Sequence, residues 1–342
     1  MRTIRLGKTG LEVTKTSFGA LPIQRVDFET ARLILRKAYD NGINYFDTAR
    51  KYSDSEEKIG YSLADVRENI IISTKTHAKS GDELAEHLET SLNKMKTDYI
   101  DIYQLHLAGK VYKPGEEDGV YDALLKAKKE GKIRFLGLTA HSIDVALEAA
   151  GSDLYDTVQF PLNHISSEKD LSLIEVAKKH DVGVIAMKGL SGGLITNARL
   201  SFAFLGQFDN VVPIWGIQRE WELDEFLQLE KDPPVLDETV QAGIKKDQEE
   251  LSGNFCRSCG YCLPCPAGID IPQAARMMFL LRRMPWQNYI TPEWKEKMEM
   301  IRECKNCGLC KSRCPYGLDT PELLKKNLED YEKFYAEHSE EK

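Results

Sequence analysis

Residues 69–106 read NIIISTKTHAKSGDELAEHLETSLNKMKTDYIDIYQLH. A short β-rich run, NIIIST, opens the stretch and a second, YIDIYQLH, closes it. GDELAEHLETSLNKM between them reads as a helix. The same alternation extends in both directions. INYFD lies before it, and IRFLGL, DTVQF, VGVIAM and VVPIW follow, with ETARLILRKAYDNG and GVYDALLKAKKEGK among the helical intervals. Several of these intervals end in Gly with Lys nearby, as helix C-termini do. TKTSFGAL supplies an eighth strand. Eight strands alternating with helices over about 230 residues is the size of a (β/α)8 TIM barrel. A doubly wound sheet is the competing reading. It usually carries a Gly-rich turn after its first strand, but here that turn is SFGALPIQ, without GxGxxG, and GLSGGL comes too late to serve. The opening RTIRLGKTGLEVTKTS reads as a hairpin turning at Gly10.

The chain has 342 residues and a net charge of -8, which argues against nucleic acid as a partner. No apolar run approaches the length of a membrane span, so no membrane association is expected. The cluster LLKAKKEGK reads as the polar face of a helix, and EDYEKFYAEHSEEK as an acidic helical tail. The first ten residues, MRTIRLGKTG, hold no apolar core of a secretion signal, so a reducing, cytoplasmic location is expected.

All eight cysteines follow residue 255, in two islands, CRSCGYCLPCP from Cys256 and CKNCGLCKSRCP from Cys304. Scattered structural cysteines would not cluster so, and disulfides do not suit a reducing compartment. Zinc sites usually pair one CxxC with a distant second pair. Three cysteines at intervals of three, then a fourth followed by Pro, suit [4Fe–4S] clusters better, the fourth thiolate of each island reaching the other cluster. By that rule Cys256, Cys259, Cys262 and Cys314 hold one cluster, and Cys304, Cys307, Cys310 and Cys265 the other. The islands are an internal repeat and resemble the bacterial two-cluster ferredoxins. One departure stands out: only two residues, not three, precede Cys265. The expected organisation is a barrel over 1–230, a linker over 231–254, and a small α-rich ferredoxin-like iron–sulfur domain with a C-terminal helix over 255–342.

Barrel sites form at the C-terminal ends of strands. The runs there end in Asp47, followed by Tyr52, then in Lys75 and in His106. Singly, each has an ordinary explanation: an Asp can cap a turn, a Lys can be solvated, a His can be a satisfied polar group. Together at one mouth they form a proton donor with its tuning partners. Lys75 is expected to lower the pKa of the Tyr52 phenol, Asp47 to hold Lys75 charged, and His106 to orient a substrate carbonyl.

FDTARKYSDSEEKIG, ISTKT, DIYQLH, IRFLGLTAHS, VQFPLN, IAMKGLSGGL and VVPIWGIQ together resemble the aldo-keto reductases, over about residues 1–230. The whole chain is similar to the branch that carries a C-terminal ferredoxin-like domain. The resemblance implies a catalytic tetrad of Asp47, Tyr52, Lys75 and His106. It also implies NAD(H) or NADP(H) bound across the barrel mouth, with hydride exchange at a small-molecule carbonyl or alcohol carbon. By the same resemblance Gln159 binds the nicotinamide carboxamide. Thr139 and Ala140 stand where the family commonly has Ser-Asn, and Met187 where an aromatic often stacks. Gly216, Ile217, Gln218 and Arg219 lie at the diphosphate and adenosine end. Glu222 falls near the position where NADP-dependent members often have Arg, which favours NADH. A one-electron donor or acceptor protein is the partner expected for the clusters. Two further accounts stand beside this one: an electron-transfer or redox-sensing protein on a barrel scaffold, and an enzyme whose clusters are structural.

Overall fold

The computed structural model describes residues 1–251 and 255–338. The chain divides into two compact units, Met1–Gly189 with Ala198–Gln241, and Leu190–Asn197 with the residues from Ala242 onward. Residues 252–254 of the expected linker and 339–342 of the expected second domain lie outside the described residues.

The first unit opens with an antiparallel hairpin, β1 (Thr3–Arg5) and β2 (Glu12–Thr14), and Gly10 at its turn has φ +66°. Eight parallel strands then close a barrel in the order β10-β3-β4-β5-β6-β7-β8-β9. They are β3 (Ser17–Gly19), β4 (Tyr45–Asp47), β5 (Ile71–Thr76), β6 (Ile100–Leu105), β7 (Ile133–Thr139), β8 (Thr157–Pro161), β9 (Gly183–Met187) and β10 (Val211–Gly216). The eight strands and the barrel closure agree with the sequence reading. The helices between them are α1 (Phe28–Asp40), α2 (Ser55–Leu63), α3 (Gly81–Met95), α4 (Val120–Lys129), α5 (Ile143–Gly151), α6 (Glu168–Lys179) and α7 (Ala198–Gly206). After β10 come α8 (Glu220–Lys231) and α9 (Glu238–Glu250). The sequence treated 231–254 as a linker; the structure places α9 there, and its residues from Ala242 pack with the second unit.

Alternation along each strand sorts side chains by depth. Tyr45, Ile102, Ile185 and Val212 form an apolar floor inside the barrel with Leu6, Leu11 and Val13 from around the hairpin. One pleat further along, the same inward faces turn polar. Asp47 follows Tyr45, Ser73 and Lys75 follow Ile71, and Gln104 follows Ile102. The register sets Asp47 opposite Ser73, Lys75 opposite Gln104, and Gln104 opposite Gly137. A polar tier thus rests on an apolar one at the C-terminal end of the strands.

The second unit is helical: α10 (Ile271–Ala274), α11 (Met277–Arg283), α12 (Pro292–Glu299), α13 (Leu309–Ser312) and α14 (Thr320–His338). Met277, Leu280 and Leu281 of α11 and Leu324 and Tyr331 of α14 are buried in it. Asn327 of α14 accepts the Met278 N–H at 2.9 Å.

α2 begins three residues after Tyr52, so its seat fixes the Tyr52 loop. Gly60 lets α2 approach α3. A Cβ there would lie 2.3 Å from the Lys94 carbonyl oxygen and 2.7 Å from the Met95 main chain. Gly60→Ala forces the helices apart. Overpacking of this kind costs about 1–3 kcal/mol, and calorimetry should record a barrel Tm lower by roughly 2–4 °C per kcal/mol lost.

Candidate active site

The C-terminal barrel end gathers Asp47, Tyr52, Lys75 and His106. Asp47 and Lys75 are almost fully buried. Lys75 Nζ lies 2.5 Å from Asp47 Oδ1 and 2.6 Å from the Thr48 carbonyl oxygen. Asp47 Oδ2 accepts from Ser73 Oγ at 2.6 Å and from Gln104 Nε2 at 3.3 Å. The Tyr45 hydroxyl supports Ser73 in turn, donating to its Oγ at 2.9 Å. Tyr52 and His106 meet edge to face with ring centroids 5.7 Å apart, and Lys75 Nζ lies 5.5 Å from the Tyr52 centroid.

The electrostatics differ from the sequence expectation in one respect. Lys75 was expected to pull the Tyr52 phenol down. The phenol is instead raised, by burial first and by the Asp47 carboxylate second. Lys75 gives two of its three N–H groups to Asp47 and Thr48. Burial also draws Lys75 below its ordinary value, although Asp47 pushes the other way. For Lys75 desolvation outweighs pairing, and for Tyr52 burial and the carboxylate act in the same direction. His106 sits well below its ordinary value, through burial first and then Lys75, His77 and Lys51. It is therefore a neutral imidazole at pH 7, and its buried Nδ1 has no hydrogen-bond partner among the described residues.

The cofactor candidates spread along the same end. Gln159 is buried on β8, and its Oε1 accepts from Gln104 Nε2 at 2.9 Å. Thr139 Oγ1 accepts the Leu107 N–H at 2.9 Å, which leaves its own hydroxyl hydrogen to give. Ala140 is buried, and Met187 ends β9 partly exposed. Gly216 ends β10 exposed, whereas Ile217 is buried, so any role there falls to the Ile217 main chain. Glu222 is not a free carboxylate: its Oε2 accepts the N–H groups of Gln218 at 2.8 Å and Arg219 at 3.0 Å, closing the N-terminus of α8. Arg219 is exposed, and Arg25 reaches Gln218 Oε1 at 3.4 Å. These groups fit a nicotinamide dinucleotide, with amide donors at Gln159, a bare glycine at Gly216 and cations at Arg219 and Arg25.

Sequence reasoning missed Ser73, Gln104 and Arg25. The signal for the first two was present: Ser73 stands two residues before Lys75, and Gln104 two before His106, so each shares its strand face with a tetrad residue.

The cysteines form two groups. One cavity is lined by Cys256, Cys259, Cys262 and Cys314, and a second by Cys265, Cys304, Cys307 and Cys310, with Cys262 bordering both. The repeat extends to the main chain. Ser258 and Asn306, Gly260 and Gly308, and Gly268 and Gly317 occupy matching places and all have positive φ. All eight thiols are free of disulfides. Burial and neighbouring thiols push Cys262 up to about 12 and raise Cys256 and Cys310. Eight converging sulfur donors are soft ligands that suit iron–sulfur clusters, which take them as thiolates.

The profile of the Aldo/keto reductase family matches residues 14–212, and that of the 4Fe-4S dicluster domain matches residues 255–319. The chain is 31% identical over 219 residues to the uncharacterized oxidoreductase YqkF of Bacillus subtilis, covering 59% of this chain and 69% of that protein. It is 30% identical over 214 residues to L-galactose dehydrogenase of Arabidopsis thaliana, covering 56% and 66%. Among solved structures, aldo-keto reductase AKR11C1 of Bacillus halodurans aligns with a TM-score of 0.63 and 22% identity, over 72% of this chain and 96% of that one. An aldo-keto reductase of Klebsiella pneumoniae in complex with NADPH aligns with a TM-score of 0.62 and 21% identity, over 72% and 94%.

If the two cysteine groups each hold one cluster, Cys314→Ala should empty the group of Cys256, Cys259 and Cys262 and leave the other. Iron and sulfide analysis of anaerobically purified protein should then give about half the wild-type content of two four-iron units. Full loss or full retention would break the assignment.

Proposed function

Because the chain belongs to the aldo/keto reductase family, we propose that it is an NAD(P)H-dependent oxidoreductase that interconverts a small-molecule carbonyl and its alcohol. The observation that carries this reading is the meeting of Asp47, Lys75, Tyr52 and His106 at the C-terminal barrel end, with Asp47 and Lys75 in direct contact. A scaffold has no use for a buried ion pair beside a phenol and a neutral imidazole. The 4Fe-4S dicluster domain adds a second redox function, single-electron exchange with a donor or acceptor protein. When bound, the nicotinamide supplies or accepts the hydride, and the clusters carry single electrons.

The chain's own residues do the rest. Tyr52 gives a proton to the carbonyl oxygen as charge develops there, or takes it back in the reverse direction. His106, neutral, orients that oxygen by hydrogen bonding without competing as an acid. The Asp47–Lys75 pair packs against the phenol, and with burial its carboxylate keeps Tyr52 in the protonated form that donates. Gln159 and Thr139 hold the carboxamide side of the nicotinamide, and Arg219 and Arg25 meet the anionic remainder of the cofactor.

NADH is the proposed preference. The Klebsiella pneumoniae neighbour carries NADPH, but in this chain a carboxylate, Glu222, already occupies the main-chain donors that open α8. A carboxylate held there disfavours a second anion beside it.

Tyr52→Phe should lower carbonyl reduction by about 10²–10⁴-fold, the worth of a general acid, with cofactor affinity retained. Unchanged turnover would remove Tyr52 from the mechanism. The pH profile of kcat/KM should lack a limb near 6.5, because burial holds His106 neutral well below that value. A limb there that vanishes in His106→Gln would contradict its neutral role. Glu222→Gln keeps a cap acceptor and removes the charge. It should shift the ratio of NADPH to NADH affinity by roughly five- to tenfold toward NADPH, the size of a like-charge contact of about 1 kcal/mol in water. Titration of both cofactors reads it directly.

A further inference from the structure

We propose that Gln104 is a positioning residue that carries the polarity of the Asp47 carboxylate across the barrel and fixes which way the Gln159 carboxamide faces. The proposal rests on the nicotinamide reading above. Asp47, paired to Lys75 at 2.5 Å, can only accept hydrogen bonds. Gln104 Nε2 lies 3.3 Å from Asp47 Oδ2. The reversed amide would set Gln104 Oε1 against Oδ2, two acceptors with no hydrogen between them. Asp47 therefore selects the amide orientation of Gln104.

The second hydrogen of the same NH2 group goes to Gln159 Oε1 at 2.9 Å. A reversed Gln159 would oppose two NH2 groups. The oxygen of Gln159 is thus committed to Gln104, and its NH2 is the end left over. That nitrogen makes no hydrogen bond among the described residues, so both of its hydrogens are available to a carbonyl oxygen such as that of a carboxamide. The order runs acceptor, donor, acceptor, donor from Asp47 outward, and reversing any member breaks a bond.

The packing is arranged around this side chain. Gln104 is fully buried, and its register neighbour Gly137 makes room for it. A Cβ at 137 would lie 2.7 Å from Gln104 Cγ and 2.5 Å from Thr157 Oγ1. The arrangement also carries a cost, since Gln104 Oε1 is buried without a partner, and an unmet acceptor is destabilising. A leucine at 104 would lack that cost. It would also leave Asp47 Oδ2 and Gln159 Oε1 without this donor, so the amide is kept for the two bonds it gives.

The test compares NADH with ADP-ribose, which lacks the nicotinamide and its carboxamide, by calorimetric titration of the full, cluster-loaded chain. Gln104→Leu should weaken NADH about tenfold, the worth of one oriented hydrogen bond, and leave ADP-ribose unchanged. In steady state, KM for NADH should rise more than kcat falls. Equal weakening of both ligands would reduce Gln104 to a packing role and overturn the proposal, as would unchanged NADH binding. Wild-type protein that binds neither ligand would overturn the nicotinamide reading itself, and the proposal with it. That failure is separable because it appears before any substitution.

Discussion

The buried contact between Asp47 and Lys75 is the constraint around which the barrel end is organised. Each ion leaves water at a cost of several kcal/mol, and the pair is tolerable only if its remaining donors and acceptors are met. Ser73 and Gln104 meet the carboxylate, and the Thr48 carbonyl meets the ammonium. Removing any of these leaves the ion pair with one donor or acceptor fewer met in a low-dielectric interior. The polar tier is therefore a unit: Tyr45 supports Ser73, Ser73 and Gln104 support Asp47, and Asp47 holds Lys75. The apolar floor of Tyr45, Ile102, Ile185 and Val212 beneath it excludes water and makes those contacts matter. Tyr45 belongs to both tiers, its ring in the floor and its hydroxyl in the network.

The same low dielectric separates what was legible in the sequence from what was not. Strand order and barrel closure follow from periodicity, which is a local property. So does the gathering of Asp47, Lys75 and His106, since residues that close successive barrel strands share one end. The direction of the Tyr52 shift was not legible. The sequence supplied a cation near a phenol, and proximity alone predicts a lowered pKa. Burial reversed the sign, and burial belongs to the assembled fold. Glu222 is a similar case. Its charge was readable, but its engagement with the main chain of Gln218 and Arg219 depends on α8 starting where it does. Gln104 was readable and was passed over, because a glutamine inside an apolar strand run looks like an exception until its register partners are known.

The cysteine islands were legible for a different reason. The metal chemistry sets ligand spacing within a short loop, so the pattern is written in the chain whatever the surrounding fold. The main chain repeats with it: three pairs of matching residues, two of them glycines, take positive φ in both islands. Such turns bend a short loop back on itself and let three side chains of one segment converge. The shorter spacing before Cys265 does not remove that residue from the second group, where it lines the cavity with Cys304, Cys307 and Cys310.

On the proposed mechanism, the two directions require different forms of the raised phenol. Carbonyl reduction needs Tyr52 to hold its proton until an alkoxide forms. An alkoxide is comparable in basicity to hydroxide, a far stronger base than a phenolate, so a buried phenol still yields its proton to it. Alcohol oxidation needs the phenolate as base, and burial and Asp47 both oppose that form. In the cofactor-free site the phenol therefore keeps its proton, the form that reduction requires. Lys75 cannot redress it alone, because its charge is already compensated by the carboxylate at 2.5 Å. A cationic nicotinamide, present only in the oxidised cofactor, would add the positive charge that the phenolate lacks. The protonation of Tyr52 would thus respond to the charge of the bound cofactor, since Lys75 alone does not lower it.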